Sequence, residues 1–321
     1  MFKTKTVLHP TDFSPESQHA FQYAYELAEC RDAELHLLHV ATFLGDDPLR
    51  AAFDVSLDED EFYKQVHDEA DEKMKELIET VEASSVPVRR VHSRGIAPAP
   101  VITEYAKKQN IDVIVMGTEG RRGVSRLVMG SVAAEVVRNA SCAVFTVRDG
   151  ATEMPSDVER VLTPVDLSEF SGPLLRAARD LTASFNASLD VVHVVEPLPF
   201  PVPLVGAVTI HDLIPDPVDQ AKRQLDRLVK TSSGFPVSIS AHVAEGHAAT
   251  TILEETEKND VDLIVMSSHG RTGLERVVLG SVTARVARRA SCPVCVVRVN
   301  PESADEHEAA QTSDEALDES R

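Results

Sequence analysis

The feature that most constrains this chain is that it repeats itself. Val7-Leu8-His9-Pro10-Thr11-Asp12-Phe13-Ser14 returns as Val161-Leu162-Thr163-Pro164-Val165-Asp166-Leu167-Ser168, and LHLLHV (Leu35–Val40) returns as LDVVHV (Leu189–Val194). The segment MGTEGRRGVSRLVMGSVAAEVVRNASCAVFTVR, from Met116, comes back from Met266 as MSSHGRTGLERVVLGSVTARVARRASCPVCVVR, with roughly half its positions identical. A period of about 150 residues duplicates a whole domain rather than the short unit of a solenoid. The boundaries expected are a first domain at 1–149, a linker at 150–159, a second domain at 160–299 and an acidic, disordered tail at 300–321.

Within each copy, strand and helix patterns alternate. KTVLH reads as a short buried strand, and a helix opens near Ser14-Pro15-Glu16, where proline and an acidic first turn favour a helix start. LHLLHV (strand), a long helix over about Asp58–Ala83, PVRRVH (strand), PAPVITEYAKKQ (helix), DVIVMG (strand), SVAAEVVRN (helix) and CAVFTVR (strand) follow. This alternation predicts an α/β fold, with two tandem doubly wound domains, each a five-stranded parallel sheet flanked by helices. Ligands of such sheets sit at the carboxyl ends of the strands, where the strand order reverses.

The strongest chemical signal lies at one such end. Gly117-x2-Gly120-x9-Gly130-Ser131 leaves the strand DVIVM and enters the helix SVAAEVVRN. Glycine lets backbone amides approach an anion closely, and a helix N-terminus offers unpaired N–H groups and a favourable dipole. Ser131 can cap the helix or donate to a phosphate oxygen, and Arg121, Arg122 and Arg126 supply countercharge for a polyphosphate. Glycines often serve only as turns and caps, but here strand, loop and helix come in the order that phosphate binding needs. The second copy carries Ser267-x2-Gly270-x9-Gly280-Ser281, with serine for the first glycine, so weaker binding is expected there.

With these motifs the chain resembles the universal stress protein family in its tandem form, over Thr4–Arg148 and Arg160–Val299. The resemblance implies a Rossmann-like, adenine nucleotide alpha hydrolase-like fold and ATP as ligand, with the glycine loop on the phosphates. It implies ribose contacts from Asp12 and Asp166, and adenine contacts from the backbone of Val40 and Val194. The candidate set also takes in Pro10 and Pro164 beside those acids, Met116 and Met266 at the strand ends, and Arg121 and Arg271 in the loops. For Asp12 and Asp166 the residues alone leave a second reading open, an N-terminal helix cap.

The resemblance further implies a nucleotide-dependent stress-response regulator or sensor. No Walker-type Gly-Lys-[Ser/Thr] is present, and no carboxylate or histidine is spaced to activate a nucleophile, so little or no hydrolysis is expected, with Mg2+ an optional bridge between phosphates. The alternatives are an interaction module that binds no nucleotide, and a slow ATPase. HIGH and SGGxDS signatures of nucleotidyl transferases and ATP pyrophosphatases are missing.

Composition narrows the partners. Net charge is −20, from 52 acidic against 32 basic residues, which repels nucleic acid and anionic lipid. The excess reads either as an ordinary acidic protein with an acidic tail or as adaptation to a salt-rich cytoplasm. Its persistence in SLDEDEFYKQVHDEADEKMKE favours the halophilic reading. No apolar run approaches the roughly 20 residues that span a bilayer, and no signal-peptide pattern opens the chain, so a cytoplasmic location is expected.

Four cysteines suggest reduced thiols, and Cys292-Pro293-Val294-Cys295 reads as two thiols of a terminal strand on opposite faces. His9, His39 and His193 have no metal-triad spacing and are expected to be packed or solvent-facing. The proline-rich stretch Glu196–Pro217 reads as a lid or contact segment, or as ordinary packing. The matching apolar strands CAVFTVR and CPVCVVRV suggest an intramolecular pseudo-dimer of the two copies, with homodimer formation and a protein partner left open.

Overall fold

Asp112 shows how each sheet is started. Its carboxylate accepts hydrogen bonds from the Lys5 and Thr6 amides at 2.8 and 3.0 Å and from the Thr6 hydroxyl at 3.1 Å. It thereby ties the beginning of strand β1 (Thr6–Thr11) to the beginning of β4 (Val113–Gly117). The second copy repeats the tie, Asp262 accepting from the amides of Glu159 and Arg160, both at 2.9 Å.

The computed structural model describes residues 4–42, 59–81, 86–118, 129–148, 158–196, 216–232, 234–268 and 279–299. Residues 150–157 of the expected linker, the tail 300–321, the proline-rich stretch between 197 and 215, and the loop residues Gly120, Arg121, Arg122, Arg126, Gly270 and Arg271 lie outside the described residues. Among the described residues the chain forms two compact units, one of 4–148 with 287–295 and the other of 158–286 with 296–299.

In the first unit β1 is followed by α1 (Pro15–Arg31), β2 (Glu34–Thr42), α2 (Glu59–Glu79), β3 (Val88–Gly95), α3 (Pro98–Lys108), β4, α4 (Ser131–Asn139) and β5 (Ala143–Val147). The strands lie in the order β3-β2-β1-β4-β5 and every pair is parallel. The central strands are buried almost throughout, as a sheet covered on both faces requires, whereas β3 alternates between half-buried and exposed positions. Phe21, Leu27, Leu35, Leu37, Met74, Ile114 and Phe145 make the core, each contributing roughly 1.5–3 kcal/mol by burial.

The second copy of the sequence repeats the plan with β6 (Arg160–Pro164), α5 (Ser171–Phe185), β7 (Ser188–Val195), α6 (Pro217–Thr231), β8 (Ile239–Glu245), α7 (Ala248–Lys258), β9 (Leu263–Ser267), α8 (Ser281–Arg289) and β10 (Val294–Val297). Its strand order is β9-β6-β7-β8, again with parallel pairs, and Ser268 beyond β9 donates its amide to the Val297 carbonyl at 3.1 Å. The chain is thus an α/β protein with parallel sheets flanked by helices.

One local expectation is amended. Cys292 precedes β10 instead of lying in it, because Pro293 has no amide to give to a ladder. All four cysteines are thiols, and burial pushes the Cys142 thiol up to about 12 and Cys295 higher still. Among the described residues no helix is long and apolar enough to cross a membrane.

Candidate functional site

The strand order places the site. Chain topology runs β1-β2-β3 to one side of β1 and β4-β5 to the other, so the order reverses between β1 and β4. Pairing of β1 with β2 continues to Thr11↔His39, but the β1–β4 ladder comprises only Val7↔Val113 and Leu8↔Ile114. Beyond Leu8 these two strands separate toward their carboxyl ends. The second unit does the same, its β6–β9 ladder comprising Val161↔Leu263 and Leu162↔Ile264. Such a crevice is where a doubly wound sheet receives its ligand.

In the first unit an imidazole spans the gap. His9, fully buried, donates from Nδ1 to the Val115 carbonyl at 2.9 Å and so satisfies an acceptor that β1 has left. Its Nε2 faces the Ser17 hydroxyl at 3.3 Å, and that hydroxyl lies 3.0 Å from Thr11 Oγ1, which accepts from the Phe13 amide at 3.0 Å. Burial lowers the His9 pKa to about 4, against the opposing pull of the Val115 bond and of Asp12, so the ring is neutral near pH 7. The sequence left open whether His9 is packed or solvent-facing. Its bridging role, and that of Ser17, depends on strand separation that no spacing reveals.

Asp12 and Asp166 sit at the mouths of the two crevices, both half-buried. They do not cap the helices that follow. Ser14 caps α1, its hydroxyl accepting from the Ser17 amide at 3.2 Å, while Asp12 Oδ1 accepts from the Ser14 amide at 3.0 Å and the Ser14 hydroxyl at 2.6 Å. Between them Phe13 adopts φ of 62°, as Leu167 does at 59° in the second copy. Left-handed backbone at two bulky residues costs roughly 1–2 kcal/mol each and holds the acidic side chain within a tight turn. Asp166 Oδ1 accepts from the Ser168 amide at 3.0 Å, the Ser168 hydroxyl at 2.6 Å and also the Ser171 hydroxyl at 3.0 Å.

The described ends of the glycine loop lie on the other side of the crevice. Gly117 ends β4, Thr118 donates its amide to the Val147 carbonyl at 2.9 Å, and the Thr118 carbonyl accepts from the Gly130 amide at 2.7 Å. Gly130 is the N-cap of α4 and has no side chain to occupy the first-turn amides, and Ser131 is exposed beside them. In the second copy Ser267 ends β9, the Ser268 carbonyl accepts from Gly280 at 3.2 Å, and the Thr283 hydroxyl donates to the Ser267 carbonyl at 2.9 Å. Ala133 stands where Thr283 does, so the first copy lacks that brace. Met116 and Met266 are buried in their strands, as is Pro10, with Pro164 half-buried.

Val40 and Val194 are half-buried near the ends of β2 and β7. The histidines before them anchor those ends, His39 Nδ1 donating to the Thr11 carbonyl at 3.0 Å and His193 Nδ1 to the Val165 carbonyl at 2.8 Å. Beside Val40 a cavity of about 300 Å3 is lined by His39, Ala41, Val66, His67, His92 and Arg94. His67 and His92 pack with ring centroids 4.1 Å apart, and burial together with His67 lowers the His92 pKa. Among the described residues no group of side chains is arranged to hold a metal ion. Pro10, Asp12, Val40, Met116, Gly117, Gly130 and Ser131 thus lie toward the carboxyl ends of the strands, on or just after β1, on β2 and β4, and at the start of α4, and the second copy places its described counterparts likewise.

Comparison with known proteins gives these features a context. The sequence model of the universal stress protein family matches residues 3–148 and again 158–298. A universal stress protein of Methanocaldococcus jannaschii is 35% identical over 142 residues, covering 44% of this chain and 82% of that protein. One of Mycolicibacterium smegmatis is 25% identical over 302 residues, covering 91% of this chain and 96% of its own. The crystal structure of a universal stress protein from Archaeoglobus fulgidus superimposes with a TM-score of 0.65 at 20% identity, covering 93% of this chain and 98% of that one, which shows the shared fold.

Proposed function

The chain belongs to the universal stress protein family, with two of its domains in tandem, and on that premise we propose that it binds ATP in its crevices and acts as a nucleotide-dependent regulator in the cytoplasm. The observation that carries this reading is the first crevice. A half-buried carboxylate at Asp12 faces the reversal point from β1, and a helix N-terminus without a side-chain cap at Gly130 faces it from the β4 side. One end suits ribose hydroxyls and the other phosphate.

The same residues favour holding ATP over spending it. His9, the histidine inside the crevice, is fully buried and committed to Val115, and Asp12 is engaged by Ser14. Neither is set to activate water. The first site is the tighter of the two, because Gly117 leaves its β4 end without the side chain that Ser267 carries.

Two measurements on the purified full chain test the proposal: mass spectrometry of nucleotide released on denaturation, and calorimetric titration with ATP with and without Mg2+. The proposal expects ATP among the released species, or micromolar binding, with turnover well below one per minute. No released nucleotide together with no heat at millimolar ATP sinks it.

A further inference from the structure

A proline closes each central ladder. Successive residues of a parallel strand turn their amides and carbonyls to alternate neighbours. Along β6, Val165 donates its amide to the Val192 carbonyl of β7 at 2.9 Å, and the Arg160 carbonyl accepts the Asp262 amide at 3.0 Å, so residue 164 faces β9. That residue is proline and has no N–H to give. The β6–β9 ladder accordingly stops at Leu162↔Ile264, and the Val265 carbonyl, next in line, receives no amide from β6. The first copy has the same arrangement with Pro10 and Val115, and there His9 Nδ1 supplies the missing donor at 2.9 Å.

In the second copy the position of His9 is taken by Thr163. This threonine is fully buried, and among the described residues its hydroxyl has no hydrogen-bond partner. The packing around it is also smaller. The His9 ring meets Phe21 edge-on with centroids 5.7 Å apart, whereas the second copy sets Thr163 and the buried Leu175 in those two places. An orphan donor and an orphan acceptor thus stand on the floor of one crevice, with two aromatic rings replaced by two aliphatic side chains.

We propose that the second crevice holds an internal water molecule at this place, which accepts from the Thr163 hydroxyl and donates to the Val265 carbonyl, and so does for β6 and β9 what the His9 imidazole does for β1 and β4. Buried waters settle where otherwise unsatisfied polar groups converge, and full burial admits nothing much larger. The bridge differs from the imidazole in kind: it exchanges with solvent and carries no group that titrates near neutral pH. The inference stands on strand geometry alone and holds whether or not the crevice takes a nucleotide.

Two measurements on the full chain, both without nucleotide, test it. A high-resolution crystal structure is expected to show an ordered water within hydrogen-bond reach of both Thr163 Oγ1 and the Val265 carbonyl. Thr163→Val, a change of nearly the same shape, reads the bridge through stability. If the hydroxyl holds water, its loss strands the Val265 carbonyl, and the melting temperature falls by roughly 2–4 °C. If the hydroxyl is bare, a methyl group in its place removes an unsatisfied polar atom, and the melting temperature stays or rises. An unchanged or raised melting temperature overturns the proposal, as does a crystal structure with a dry site or with Thr163 bonded directly to a protein group.

Discussion

The amide of Gly130 donates to the carbonyl of Thr118 across 2.7 Å, so the chain that leaves β4 is brought back to its point of departure before α4 begins. Gly280 and Ser268 repeat the relationship at 3.2 Å. The bond holds the start of α4 beside the end of β4, so that the first-turn amides of the helix lie at the carboxyl end of the sheet, where an anion is favoured.

The space around Gly280 separates its structural from its binding role. Among the described residues a methyl group there meets the Thr283 hydroxyl at 3.6 Å and the Ser268 carbonyl at 3.8 Å, both ordinary contacts. Gly280→Ala is expected to cost no more than about 1 kcal/mol of stability, the loss typical of alanine at such a helix start. ATP binding in the second copy weakens by about tenfold, because the methyl lies where phosphate must approach. Thermal melting and titration on the same preparation check both halves. A large drop in melting temperature, or full-strength binding at both sites, contradicts the assignment.

Asp112 makes a different kind of contact, holding β1 to β4 at the end of the sheet away from the crevice. Asp112→Ala removes the acceptor for two amides and a hydroxyl and is expected to destabilise by roughly 2 kcal/mol. Asp112→Asn, which keeps one carbonyl acceptor, should lose about half as much. Urea unfolding midpoints measure this. ATP affinity is expected to remain unchanged in both, since the crevice lies at the opposite strand ends.

His9 makes stability depend on acidity in a defined direction. Its pKa is about 4 in the folded chain against an ordinary 6.5, so between these values the unfolded chain binds more protons. The stability His9 contributes is complete above pH 6.5 and is lost as the pH falls to 4, at about 1.4 kcal/mol per unit and on the order of 3 kcal/mol in all. Denaturation curves at a series of pH values should be shallower for His9→Thr across this window. Parallel curves for the two proteins would show that the histidine is not held neutral.

The charge excess predicts a response to salt. With 52 acidic and 32 basic residues, self-repulsion opposes the compact state until ions screen it. Raising KCl from about 0.1 to about 2 M is expected to raise the melting temperature by about 5 °C or more. Melting that is equally high at low ionic strength would count against adaptation to a salt-rich cell interior.

Much of this molecule is legible along the chain. The duplication is visible as repeated words and the strands as apolar runs, because each of these is a local or periodic property. The segment expected to form α4, SVAAEVVRN, coincides with Ser131–Asn139, since a glycine before it and the apolar face within it are local signals. Helix α2, which the apolar pattern places over about Asp58–Ala83, spans Glu59–Glu79.

What the chain could not disclose by itself is which distant residues meet. His9 and Val115 are 106 positions apart, and only the placing of β1 between β2 and β4 brings them to 2.9 Å. For Asp12 the residues alone leave a helix-cap reading open, and the cap falls to Ser14, beyond the left-handed turn at Phe13. The sequence by itself determined two α/β domains in tandem. Tertiary structure alone decided that β1 and β4 part after two pairs, that a neutral imidazole bridges the gap, and that matching serines face opposite ways in the two copies. The reason is physical: periodicity encodes which face a residue shows, whereas parallel pairing between remote strands settles what that face meets.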